Sequence, residues 1–190
     1  MHWAQYLSLY AKVNKVSAPN DSHGKISLDI PFPGSLEAFT ARFTPVSAKT
    51  IARFAMFAGR TPALCGNGQL FNIADQSTPT TFQELWPQLT AWFDLNGVEP
   101  NRDGQPADGL KPGEYIAKYR HLFLAEDLTQ AVANGVGSGA SQLDSVGWWL
   151  NFDRHLSLTK LKGTGFGEEQ DPAIGWLEAF GKFRQAGLIF

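Results

Sequence analysis

Apolar residues recur at three- and four-residue spacing along most of this chain. That periodicity constrains the fold more than any other feature, because it commits most of the sequence to helices with one buried stripe. Trp3, Leu7, Tyr10 and Val13 share a face opposite Gln5, Lys12 and Lys15. Ile51, Phe54, Ala55 and Ala58 do the same between a Ser47 cap and a Gly59 stop. The sequence TFQE at 81–84 fits a capping box and opens a stripe of Phe82, Leu85, Trp86, Leu89, Trp92 and Phe93. Pro87 is expected to kink that helix or delay its start. Pro112 opens another helix, with Ile116, Tyr119 and Phe123 on one side. Shorter helices fit 36–43 and 126–133. The clearest pattern comes last: Asp171 caps, Pro172 begins, and Ile174, Trp176, Leu177, Phe180 and Phe183 form the stripe.

Strand signals are fewer. Residues 25–32 alternate and read as a strand that Pro31 and Pro33 push to an edge. Residues 61–73 read as a glycine-containing loop leading into a short apolar strand, and 94–112 as a long polar loop. The run 134–141, NGVGSGAS, reads as a flexible joint. Beyond it Val146, Trp148, Leu150 and Phe152 alternate, followed by Leu156 and Leu158, which predicts a β-hairpin with a helix as its rival. The expected architecture is α+β: one helix-rich globular domain over 1–190, with a short edge strand, a hairpin in the C-terminal half and a terminal amphipathic helix. A length of 190 residues suits one such core.

Composition narrows the classes of function. A single cysteine, Cys65, excludes an internal disulfide framework and a cysteine-based zinc cluster. The opening MHWAQYLSLYAKVNKV lacks the basic start and unbroken apolar run of a signal peptide, and no stretch nears the roughly 18 apolar residues of a membrane span. The expectation is a cytoplasmic protein, or one built into a particle assembled there, with no membrane contact. Six Trp and fourteen Phe exceed the needs of one small core, which leaves two readings, an aromatic-rich core or some of these rings at an interface. The ending Leu188, Ile189 and Phe190 is expected to dock on the protein itself or on a neighbour.

Charge divides by segment. Residues 38–74 hold Arg42, Lys49, Arg53 and Arg60 and no acid, whereas 75–127 carry a net charge of −5. Such a split permits complementary contacts between copies. Four cations near Phe43, Phe54 and Phe57, at a pI near 6.1, give little support to nucleic-acid binding.

Four motifs bear on chemistry. Gly163, Gly165 and Gly167 resemble a phosphate loop, but Glu168, Glu169 and Asp171 follow them and occupy the favourable end of the helix dipole. Neither the P-loop nor the dinucleotide fingerprint fits, so the segment reads as a joint feeding a capped helix. Glu99, Asn101 and Asp103, with Gly104 sixth, match the opening of a calcium loop, but Leu110 stands where a bidentate Glu is needed. Cys65 could be a nucleophile with His121 or His155 as base and Asp144 or Asp153 as orienter. Glu168 and Glu169 with Asp153 or Asp144 could pair for glycoside chemistry, although acids capping a helix are commoner. His2, His23, His121 and His155 lack the three- or four-residue spacing of a helix-borne metal site.

These observations lead to a non-enzymatic assembly subunit of a multi-protein complex or particle, bacterial or viral, needing no cofactor. Its partner would be another protein or a second copy. Arg42, Lys49, Arg53, Arg60, Trp148, Trp149, Leu188, Ile189 and Phe190 are the expected interface. The alternatives are a small cysteine hydrolase built on Cys65 and a ligand-binding module that stacks its ligand on Trp148 or Trp149.

Overall fold

The structure, a computed structural model, describes residues 1–15, 28–106, 109–133 and 142–190. The expected joint at 134–141, the first residues of the 25–32 strand and His23 lie outside the described residues. Helix α1 (His2–Lys15) is followed by strand β1 (Leu28–Pro31) and helices α2 (Leu36–Thr40), α3 (Ala48–Arg60), α4 (Pro62–Cys65) and α5 (Phe82–Ala91). Strand β2 (Leu95–Val98) precedes α6 (Pro112–Tyr119), α7 (His121–Ala125), a 3-10 turn (Thr129–Val132), α8 (Leu143–Trp148), α9 (Thr159–Lys162) and α10 (Pro172–Gln185). Among the described residues no helix is long and apolar enough to cross a membrane.

The two strands pair in parallel, Leu28 to Pro31 opposite Leu95 to Val98, and the Phe32 N–H extends the ladder to the Val98 carbonyl at 3.0 Å. A parallel pair needs a crossover, which here is the helical stretch from α2 to α5. The protein is therefore of parallel α/β type, and the expected α+β arrangement with a hairpin is corrected. Residues 143–148 are α8 and 159–162 are α9; the only pairing of that stretch among the described residues is an isolated bridge from Arg154 to Phe43. The apolar alternation of 146–152 arises instead where α8 ends and an irregular segment begins. The strand expected near 70–73 is absent, and β2 stands within the stretch read as a polar loop.

The helix signals fared better. Thr81 and Glu84 complete their capping box and α5 runs through Pro87. Asp171 caps α10 by accepting from the Ala173 N–H at 2.9 Å. Ser47 caps α3 through the Thr50 N–H at 3.2 Å. However, α3 buries only Thr50 and Phe54; Ile51 and Ala55, expected on its inner face, are exposed.

The core is built around α1, whose residues Trp3 to Ala11 are all buried. Trp3 meets Phe32, Phe82 and Trp86 at ring separations of 5.4–6.4 Å. The Trp86 indole N–H donates to the Ile30 carbonyl at 3.0 Å, tying α5 to β1. A Cβ on Gly97 would stand 2.6 Å from Thr90 Oγ1 and 2.8 Å from Trp86 Cδ1, so the glycine lets α5 lie directly on β2. Asp29 and Asn96 are exposed on the opposite face of the strand pair, hydrogen-bonded to each other at 2.7 Å. The aromatic excess thus goes mostly into packing, and of the six tryptophans only Trp149 is exposed. The chain's end also folds inward: Ile189 is buried and Phe190 stacks on Phe123 at 4.8 Å.

Candidate functional site

Open parallel sheets bind ligands in the crevice beyond the carboxyl ends of their strands. Here β1 ends at Pro31 and runs into Phe32, Pro33 and Gly34, against which α8 is pressed. The Ser35 N–H donates to the Gly147 carbonyl at 2.8 Å. A Cβ on Gly147 would fall 2.1 Å from the Pro33 carbonyl oxygen, and one on Gly34 would fall 2.4 Å from Gly147. Gly104, in the loop after β2, closes on Gly34 in the same way, with φ +69° and a virtual Cβ 3.1 Å from the Gly34 oxygen. Backbone contact therefore fixes α8 beyond the strand ends.

A cleft of about 590 Å³ opens beside α8 and the start of α6, lined by Lys111, Gln142, Asp144, Ser145, Trp148 and Trp149. Trp149 is 77% exposed, and the Lys111 ammonium lies 4.9 Å from the centre of the Trp148 ring. The Lys111 N–H donates to Glu114 at 3.0 Å, which starts α6 and places the lysine at the cleft wall. Asp144 Oδ1 is buried without a hydrogen-bond partner. Burial pushes the Asp144 carboxyl above its ordinary pKa, against the Gly113 N–H and nearby Lys111, with Glu114 adding to the rise. A half-buried carboxyl of raised pKa beside two indoles is suited to a ligand with an apolar body and a hydrogen-bond donor.

The sequence singled out Trp148 and Trp149 as a possible stacking platform, and Asp144 as an orienter for a nucleophile or as one of a carboxylate pair; the structure sets all three along one cleft. Lys111, Gln142 and Ser145 carried no motif. Their proximity comes from the approach of α8 to α6, which sequence spacing does not reveal.

The other sequence candidates do not converge. Cys65 is half-buried at the end of α4 beside the Phe54 cluster, with its sulfur 3.8 Å from Thr61 Oγ1. His121 is exposed, its Nδ1 3.1 Å from the Lys118 carbonyl, and His155 is exposed as well. Asp153 accepts from the Arg42 N–H at 2.9 Å. Among the described residues no hydrogen bond joins Cys65 to a histidine. Asn101 and Asp103 serve a turn, Asn101 donating to the Gln105 carbonyl and Asp103 accepting from the Gln105 N–H. No group of three or more His, Cys, Asp or Glu among the described residues is placed to hold a metal.

Of the basic residues expected at an interface, Arg53 pairs with Glu168 at 2.6 Å and Lys49 with Glu178 at 3.0 Å, while Arg42 and Arg60 are exposed. Glu169 accepts from Ser77 at 2.7 Å and pairs with Lys162 at 2.9 Å; these bonds, the Ser77 hydroxyl foremost, hold its carboxyl below the usual range.

Sequence reasoning passed over Asp75 altogether. Buried at 2% exposure, its Oδ1 accepts from the Ser47 N–H (3.0 Å), the Ser47 hydroxyl (2.8 Å), the Thr50 hydroxyl (2.6 Å) and the Gln170 amide (3.0 Å). This knot joins α3 to the segment leading into α10. No local signal marks it, since its partners lie 25 to 95 residues away.

Residues 2–190 match the family described as PRISE-like Rossmann-fold domain. The short chain dehydrogenase sirS of Leptosphaeria maculans is 28% identical over 195 residues, covering 97% of this chain and 45% of the relative. The short chain dehydrogenase ausT of Aspergillus calidoustus is 27% identical over 187 residues, covering 98% and 42%. The chain spans less than half the length of these curated relatives. The expectation of a non-enzymatic assembly subunit from a bacterial or viral particle is overturned by this kinship with dehydrogenases, and so is the cysteine-hydrolase alternative. The parallel pair, its helical crossover and the match over 2–190 agree: the chain belongs to the PRISE-like Rossmann-fold family.

Proposed function

We propose that the chain is the substrate-facing part of an oxidoreductase of the short-chain dehydrogenase type. The substrate would lie in the cleft between α8 and the start of α6. The observation that carries this reading is the lining of the cleft, which sets two indoles and the perturbed Asp144 carboxyl on a helix, α8, whose Gly147 is packed against the chain leaving β1.

Each residue has a physical task there. The exposed Trp149 ring takes the apolar body of the substrate by stacking. The Asp144 carboxyl, which lines the cleft, accepts a hydrogen bond from a substrate hydroxyl, and a secondary alcohol is such a donor. Lys111 sets the local field and holds Trp148 in place beneath it.

A dinucleotide, which a Rossmann fold and the relatives' activity imply, does not fit the described residues. Its pyrophosphate requires a glycine-rich turn between a strand and a helix N-terminus. After β1, Gly34 is filled by the backbone of Gly147, and after β2 comes Glu99. Gly163, Gly165 and Gly167 follow α9 rather than a strand, and the first free N–H of α10 is taken by Asp171. No step is therefore derived through that group.

Titrating trans-2-decalol and its O-methyl ether against intrinsic tryptophan fluorescence tests the reading. The alcohol should bind at least about tenfold more tightly than the ether, because the ether offers the Asp144 carboxyl no donor. Trp149→Ala should remove the signal, and Asp144→Leu should make alcohol and ether equal. Equal binding to the native protein, or titrations indifferent to Trp149→Ala, would show that the cleft is not the substrate site.

A further inference from the structure

The Asp75 knot leaves one of its two carboxylate oxygens unused. All four donors, from Ser47, Thr50 and Gln170, converge on Oδ1, and among the described residues none reaches Oδ2. Each oxygen of an ionised carboxylate can accept hydrogen bonds, so the capacity of Oδ2 stays open. Nor is that oxygen walled in. The unpaired polar side-chain atoms sealed from solvent among the described residues are His2 Nε2, Gln5 Oε1 and Asp144 Oδ1. Asp75 as a whole is only 2% exposed, so Oδ2 meets the cavity that the residue lines rather than open solvent. No cation of the described residues pairs with it.

That cavity measures about 230 Å³ and lies between the start of α3 and α10. Its walls include Met1, Val46, Trp176, Ala179, Phe180 and Phe183. Trp176 and Phe180 meet edge to face at 6.2 Å and make an aromatic corner. A Cβ on Gly175 would stand 3.4 Å from Oδ2, so the glycine keeps that oxygen uncovered on the cavity side. The Ser47 hydroxyl on the same wall is already spent on Thr50, Asp75 and Gln170. The cavity shares no lining residue with the cleft of α6 and α8. A buried carboxylate oxygen without a partner is costly, and a cation bearing N–H groups relieves that cost. Aromatic faces attract the same kind of ion. In volume the cavity exceeds the roughly 150 Å³ that admits benzene, which allows one ring and a short arm.

We infer that this cavity is a second ligand site, taking a small primary ammonium ion with an apolar body. An N–H of the ligand donates to Asp75 Oδ2, and the body packs against Trp176 and Phe180. The cleft reading can fail without affecting this site. Titration calorimetry of residues 1–190 with 2-phenylethylamine and 2-phenylethanol at pH 7 tests it. The amine, charged at that pH, should bind at least about tenfold more tightly than the alcohol, because its hydrogen bond to the carboxylate is charge-assisted on both sides. It should also raise the melting temperature, as a ligand of the folded state must. Asp75→Asn keeps an acceptor for the four donors but removes the charge, and should erase the preference for the amine. Ala179→Phe fills the cavity without touching the knot, and should abolish amine binding while circular dichroism shows the protein folded. Trp149→Ala should leave the amine titration unchanged, since Asp144 and its indoles are the other place that could draw a cation. Equal affinity for amine and alcohol would overturn the inference, whatever the variants do. Amine binding that persists in folded Ala179→Phe, or that is lost in Trp149→Ala, would overturn it too.

Discussion

Asp75 shows how much one residue can hold together. Four donors from two segments converge on one carboxylate oxygen inside the protein. Gly175 leaves room beside it, since a Cβ there would be 2.8 Å from Ser47 Cβ and 3.4 Å from Asp75 Oδ2. Asp75→Ala strands those donors without water to replace the lost bonds. It should cost about 2–4 kcal/mol, or roughly 5–10 °C in melting temperature, read by urea and thermal unfolding. Asp144 predicts the opposite sign. Burial raises its folded pKa above the ordinary carboxylate range, so the fold favours the neutral acid and is weakened by the carboxylate. The penalty is absent below the unfolded pKa, grows between the two values and is complete above the folded one. Asp144→Asn should therefore be more stable than the native protein at pH 7. That advantage should vanish as the pH falls below the ordinary carboxylate range, and thermal melts across pH would show it.

Among the elements, β2 and α5 are bound most closely, because Gly97 lets the helix backbone reach the strand. Gly97→Ala would drive a methyl group into Thr90 and Trp86, neither of which can retreat from the core. We expect a loss of about 1–3 kcal/mol, measured as a lower urea midpoint at unchanged slope. Elements closed by local chemistry were legible in sequence: the Thr81–Glu84 box, the Ser47 cap, and Asp171 with Pro172. β2 was not legible, because Leu95, Asn96, Gly97 and Val98 are strand only through β1 and α5. The alternating 146–152 run misled for the same reason. Its apolar residues sit on a short helix and its exit, with Trp148 against Lys111, and period two arises without a partner strand. Of the candidate site, the two indoles could be picked out by type. The lysine and the carboxyl become a site only when α6 and α8 meet.

For the whole molecule, the apolar C-terminal end belongs to the interior. Phe190 stacks on Phe123, its N–H donates to the Ser8 hydroxyl at 2.9 Å, and the buried Gln5 amide reaches the Leu188 carbonyl. Removing residues 188–190 should cost about 3–5 kcal/mol, comparable to emptying a buried aromatic site. The loss should appear in chemical denaturation. Arg53→Ala, by contrast, removes an exposed ion pair and should cost about 0–1 kcal/mol despite the 2.6 Å separation. This contrast explains why segmental charge was a poor guide to architecture: two of the four cations in the basic stretch are neutralised within the chain by acids more than a hundred residues away.

The meeting of Gly34, Gly104 and Gly147 limits how this protein can diversify. Three stretches of main chain touch there with nothing smaller to substitute, so a side chain gained at one position cannot be offset by a reduction at another. Rescue would require moving a whole segment. Helix α8 is accordingly held at a fixed height over the strand ends, and altered ligand preference has to come from exchanging what it displays, Ser145, Trp148 or Trp149, rather than from shifting the helix. Lineages with different substrates would then share these three glycines and differ in those three side chains.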